Sequence, residues 1–150
     1  MNLQARFEAI FEDFEYRNES MLLETAKYAF DRLYDVLEAY EPRTGRKILA
    51  LFCAITCAVD GLPNRQEYEF FYKVTGLSFS YEDFKKFGVE EKNNDRVKLE
   101  IRNLGKKYHN SSIDYGLNVL GLSLCVCDGR FTDSEKEHCI KYIPHPGILD

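Results

Sequence analysis

The sequence predicts an all-α fold, a single-domain helical bundle of seven to nine helices with an internal pseudo-repeat, spanning residues 1–150. Three observations carry this expectation. Apolar residues recur at helical spacing over most of the chain, and no stretch alternates apolar and polar residues long enough to make a convincing strand. One helix–turn–helix phrase occurs twice, 68 positions apart. A chain of 150 residues is long enough for one domain with a real core.

Taken in order, Leu3, Phe7, Ile10 and Phe14 mark one face of a first helix, with charges between them. Leu22, Ala26, Phe30, Leu33, Leu37 and Tyr40 form a longer stripe, a rod of about 30 Å, which ends at Pro42 and Gly45 in "EPRTG". Residues 48–59 are apolar on every face, which places that helix in the centre of the domain. Residues 117–127 have the same character. Leu51, Phe52, Ile55, Leu120 and Leu124 are therefore expected to be almost wholly buried.

Three amphipathic pieces lie between the two central helices. Residues 64–74 carry Tyr68, Phe70, Phe71, Tyr72 and Val74, more apolar surface than one buried stripe needs, so this helix is expected to be covered on two sides. A short helix over 80–87 opens with Ser80 as N-cap. A third runs over 95–108, with Val97, Ile101, Leu104 and Tyr108 in register. "TGLSFSY" reads as a connection and "EEKNNDR" as a solvated loop or frayed helix start. A last helix over 132–143 stops at Pro144, and the tail "PHPGILD" is expected to be irregular.

The repeated phrase is "CAVDGLPNRQE" from Cys57 and "CVCDGRFTDSE" from Cys125. Superposition places Asp60 on Asp128, Gly61 on Gly129, Asn64 on Thr132 and Glu67 on Glu135. Glycine supplies the positive φ at which the first helix ends. Asn64 or Thr132 then caps the next helix, and the Glu three residues on reaches back, which is a capping box worth about 1 kcal/mol. The spacing from Asp-Gly to Glu is also that of a calcium-binding EF-hand loop. Yet the loop's first and third positions hold Thr56 and Ala58 in one copy, and Leu124 and Val126 in the other. An ordinary EF-hand is rejected. A weak divalent site requires Asp60 and Glu67, or Asp128 and Glu135, to converge, or the two loops to face one another. Thr56 and Asn64 add oxygen donors to the first copy, and Thr132 alone to the second.

Two Asp-Gly turns, each followed by a Glu and preceded by an apolar helix rich in small residues, resemble the TerB-like fold of tellurite-resistance proteins. The same helical module occurs at the N-terminus of a membrane-anchored DnaJ-type co-chaperone. The resemblance covers about 46–143. It implies internal pseudo-symmetry, a stress- or envelope-associated binding role, and an acidic surface able to hold a weakly bound divalent cation, calcium or manganese. The family-like acidic positions are Asp60, Glu67, Asp128 and Glu135. The family usually shows Ala before the Asp-Gly pair, where Val59 and Cys127 stand here. The contrasting expectation is a purely structural protein–protein interaction domain whose carboxylates only cap helices.

Composition narrows the classes further. Twenty basic against 25 acidic residues leave a net charge of −5, with no basic patch for a phosphate backbone, so nucleic acid is not an expected partner. The longest apolar stretches fall short of the ~20 residues of a membrane span. "MNLQARFEAIFEDFEYR" lacks the pattern of a secretory signal. Five cysteines, an odd number without scaffold spacing, suit a reducing compartment, and the expected location is the cytoplasm. Cys53, Cys57, Cys125, Cys127 and Cys139, even with His138, match no zinc spacing and are expected as free core thiols. Glu67 and Glu69, like Glu135 and Glu137, are two residues apart on a helix and face different ways. With no nucleophile motif and no phosphate loop, no catalytic residue is assigned and the expectation is a non-enzyme.

Overall fold

The structure, a computed structural model, describes residues 2–147. Among them are nine helices and no strand: α1 (Leu3–Glu15), α2 (Glu19–Tyr40), α3 (Gly45–Cys57), α4 (Arg65–Thr75), α5 (Tyr81–Glu91), α6 (Asp95–Arg102), α7 (Leu104–Lys107), α8 (Ser111–Val126) and α9 (Asp133–Tyr142).

The two helices apolar on every face hold the centre. α8 packs on α2, α3, α7, α1, α4 and α9, and α3 packs on α5, α8, α2 and α6. Phe52, Ile55, Leu120 and Leu124 are buried, as their position in all-apolar segments requires. Around them α2 contributes Leu22, Ala26, Phe30, Leu33 and Leu37 along one stripe. Close approach of α5 to α3 depends on Gly88, because a Cβ there would lie 2.4 Å from the Ala54 carbonyl oxygen and 2.8 Å from the Ala58 Cβ.

Asparagine, serine and threonine cap most of the helices, and the caps explain where each begins. Asn2, Asn18, Asn64, Ser80, Asn94 and Thr132 each accept a hydrogen bond from the third backbone N–H of the helix that follows, satisfying a donor that has no partner inside the helix.

Three expectations are corrected. Leu51 is only partly buried: it faces a groove that it lines with Ile48, Val97, Leu99 and Leu104. The single helix over 95–108 is two, because the backbone turns at Asn103, whose N–H bonds the Leu99 and Ile101 carbonyls. Past this break α7 lies against α8, where Gly105 admits the Asp114 carboxylate at a distance no Cβ would allow. α8 starts at Ser111, earlier than expected, because Asn110 caps it through the Ser112 N–H. On α4, Phe70, Phe71 and Val74 are buried between α2 and α5, so two-sided cover holds for these, while Tyr72 stays half exposed.

The tail is irregular through Gly147, and the rest of "PHPGILD" lies outside the described residues. It is nonetheless fastened. The Asn118 amide donates to the Pro144 carbonyl at 2.8 Å, His145 Nε2 lies 2.7 Å from the Cys139 carbonyl, and the His145 ring meets Phe7 edge-on at 4.7 Å.

Candidate functional site

Both Asp-Gly turns form the local structure their residues dictate. Ala58 is the C-cap of α3 and Cys127 that of α8, and Gly61 and Gly129 take the positive φ values of 132° and 83° that let the chain reverse. The N–H groups of Glu67 and Asn64 bond Asn64 Oδ1 and Glu67 Oε1 at 2.8 and 2.9 Å. The N–H groups of Glu135 and Thr132 bond Thr132 Oγ1 and Glu135 Oε1 at 3.2 and 3.0 Å. Both capping boxes are complete.

The two turns face one another and exchange hydrogen bonds. Thr132 Oγ1 donates to Asp60 Oδ2 at 2.7 Å, and Asn64 Nδ2 donates to Asp128 Oδ2 at 3.3 Å. Gln66 Nε2 adds a bond of 3.4 Å to the Cys127 carbonyl. Each cap residue thus serves its own helix through an acceptor and the opposite turn through a donor, as the chemistry of an amide or a hydroxyl permits. Asp60 is exposed at the outside of this junction, Asp128 is largely covered and lies 3.7 Å from Arg130, and Glu67 and Glu135 are each only 5% exposed.

Burying two carboxylates beside two others has an electrostatic consequence. Burial first, and then the charges of Asp128 and Asp60, push the Glu67 carboxyl up to about 7, against the lowering effect of the Asn64 N–H bond. Burial first, and then Asp60 and Asp128, push Glu135 up to about 8, against its bonds to Thr132. At neutral pH the junction therefore holds protons on groups that are ordinarily ionised. Burial also raises the Cys57 and Cys127 thiols next to this cluster, which keeps them protonated and unreactive.

All four site residues expected from the sequence, Asp60, Glu67, Asp128 and Glu135, thus belong to one junction between the turns. Thr56 does not join it. Its hydroxyl is buried and donates to the Phe52 carbonyl at 2.8 Å, back along its own helix, so the extra donor expected for the first copy is withdrawn. Among the described residues no three His, Cys, Asp or Glu side chains come together in an arrangement ready to hold a metal ion. No protein-family model, curated protein or solved structure matches the chain. Among the described residues, no helix is long and apolar enough to cross a membrane.

Sequence reasoning missed the cross-turn role of Thr132, Asn64 and Gln66. The residues were visible as caps, but a contact between positions more than 60 apart has no local signal. It also missed a network at the other end of α2, where Lys107 and Tyr108 both donate to the Glu41 carboxylate and Tyr40 stacks on Tyr108 at 4.3 Å. An acid, a base and aromatics separated by some 67 positions gave no spacing to read.

Proposed function

We propose that the chain is a TerB-like binding module, with the two turns as its internal repeat, whose acidic junction takes up a divalent cation in place of protons. One observation carries this reading: the turns face each other, so that Asp60, Glu67, Asp128 and Glu135 cluster where two buried carboxylates already need positive charge. A cation such as calcium or manganese supplies that charge without a proton, and binding it releases protons from Glu67 and Glu135. Asp60 and Asp128 would offer the outer oxygens and the two glutamates the inner ones. The ion would be weakly held, because the cap bonds occupy one oxygen of each glutamate. In this reading the module is a non-catalytic, cytoplasmic component of a stress response such as that to tellurite, and it acts by binding a protein partner.

A second reading is favoured by the completeness of the two capping boxes and by the absence, among the described residues, of a ready three-ligand group. Here the junction is structural only: it locks two helical hairpins together in an interaction domain, and protons alone relieve its repulsion.

Calorimetric melts with chelator and with millimolar calcium or manganese separate the two. Cation uptake raises the melting temperature, more strongly at pH 8 than at pH 6, because fewer protons then compete. Asp60→Asn and Asp128→Asn should each reduce this shift to a similar extent, since Thr56 no longer distinguishes the copies. The structural reading expects no ion response, and a loss of about 1 kcal/mol from Asn64→Ala or Thr132→Ala with or without ions. A melting temperature indifferent to every divalent ion at both pH values would discard cation uptake and leave the structural junction.

A further inference from the structure

On the side of the bundle where α1 and α9 run beside each other lies an open groove of about 560 Å³. α1 rests on α8, and its Phe7 and Phe11 are pinned from beneath by His145 and Phe131, with ring centroids 4.7 and 5.1 Å apart. Phe7 and Phe11 belong to the core and show the groove only their edges, each 4% exposed, so its open apolar surface is Ile140 of α9, 41% exposed, a large aliphatic side chain left in water. The walls are acidic. Glu8, Glu12 and Glu15 follow one another along α1 at spacings of four and three residues, on one helix face. Opposite them, Asp133 and Glu137 stand one helical turn apart on α9. The one basic side chain in the lining, Lys136, is already paired with Glu15 at 3.7 Å. The lining thus has a net charge of −4, when the whole chain carries −5.

Glu15 has Lys136, Glu8 accepts from the Gln4 amide at 3.1 Å and Asp133 sits in the favourable first turn of α9, yet the lining keeps its excess of negative charge around an exposed isoleucine. Five exposed carboxylates in two facing rows repel one another, and a half-exposed isoleucine between them gains no burial. Both features are satisfied together by one kind of occupant. We propose that the α1–α9 groove is the docking site for a basic amphipathic helix of a partner protein. Its apolar stripe would lie on Ile140 and the edges of Phe7 and Phe11, and lysine or arginine on both flanks would meet the two carboxylate rows. The rows repeat at helical spacing over about 10 Å, so charges spaced one turn apart on the partner match them. The same charge turns away nucleic acid and anionic lipid. This site is separate from the Asp-Gly junction, and its test can be run with chelator present.

The probe is a fluorescent peptide of about 14 residues, roughly four helical turns, with leucines at i, i+4 and i+7 and lysines on both sides of that stripe. Anisotropy is read against the full chain. Binding is expected, weakened several-fold between about 50 and about 300 mM salt as surface charges are screened. It is expected to weaken roughly tenfold or more in Glu8→Lys/Glu12→Lys and measurably in Ile140→Gln, both of which change exposed positions and should leave the melting temperature nearly unmoved. The proposal is overturned if a peptide of the same composition with the leucines scrambled binds as well. It is equally overturned if Glu82→Lys/Glu90→Lys on α5, an equal charge change elsewhere, weakens binding as much. Sedimentation showing a dimer that Ile140→Gln disperses would make a second copy of the chain the occupant, and that too would overturn it.

Discussion

Leu120→Ala is expected to lower stability by about 2–5 kcal/mol, seen as a shift of the urea midpoint at unchanged slope. Leu120 has no exposed surface, and α8 is held on several sides by α2, α3, α1, α4 and α9. A helix gripped all round cannot move in to fill the space left by a removed isobutyl group, and a cavity that stays open costs the most. Leu51→Ala makes the contrasting case. Leu51 lies at the edge of the α3–α6–α7 groove, where solvent already reaches its lining, so shortening it opens little new cavity. Its cost should be near 1 kcal/mol. Equal losses at the two sites, or a negligible loss at Leu120, would mean that α8 is not the centre of the bundle.

The difference between these two leucines marks the limit of what the sequence could say. An all-apolar segment announces that its helix is central, and both α3 and α8 are. It cannot announce which of its faces meets a neighbour and which meets a groove, because every face looks alike. The same limit hid the break at Asn103. Val97, Ile101, Leu104 and Tyr108 keep helical spacing straight through it, and the turn is set by how α7 seats Gly105 against Asp114 of α8, a tertiary contact. Local chemistry, by contrast, was legible. The capping boxes at Asn64–Glu67 and Thr132–Glu135, the Ser80 cap and the glycine turns all form where the residues placed them. Of the acidic junction, the sequence supplied the four carboxylates and the structure supplied their meeting. Each turn is encoded within about ten residues, while the bonds Thr132–Asp60 and Asn64–Asp128 depend on how α3, α4, α8 and α9 pack.

That meeting should make the protein lose stability as the pH rises from about 6.5 to about 8, by roughly 2 kcal/mol in all. In the unfolded chain both glutamates are fully ionised across this window, since an ordinary Glu titrates near 4.3. In the folded chain Glu67 and Glu135 hold protons up to about 7 and about 8, so the native state binds more protons and stability falls with rising pH. The two glutamates dominate this window. Burial lowers His138 to about 4 and lowers His145 as well, so both stay neutral when folded, and in the unfolded chain they are mostly neutral above 6.5. Below that pH these histidines act with the opposite sign, because the unfolded state then takes up the extra protons. The thiols, with an ordinary midpoint near 8.5, are about a quarter ionised in the unfolded chain by pH 8 and stay protonated when buried, so they add a smaller loss of the same sign at the top of the window. The stability maximum should therefore lie near or below pH 6.5, and denaturant titrations at half-unit steps would trace the descending limb. Glu67→Gln/Glu135→Gln is the deciding variant: a glutamine oxygen can still accept the cap N–H, but it has no proton to lose. The variant should flatten the limb and be more stable than the parent chain at pH 8. If the parent profile is already flat between 6.5 and 8, the two buried glutamates ionise freely and the junction carries no stored repulsion for protons or cations to relieve.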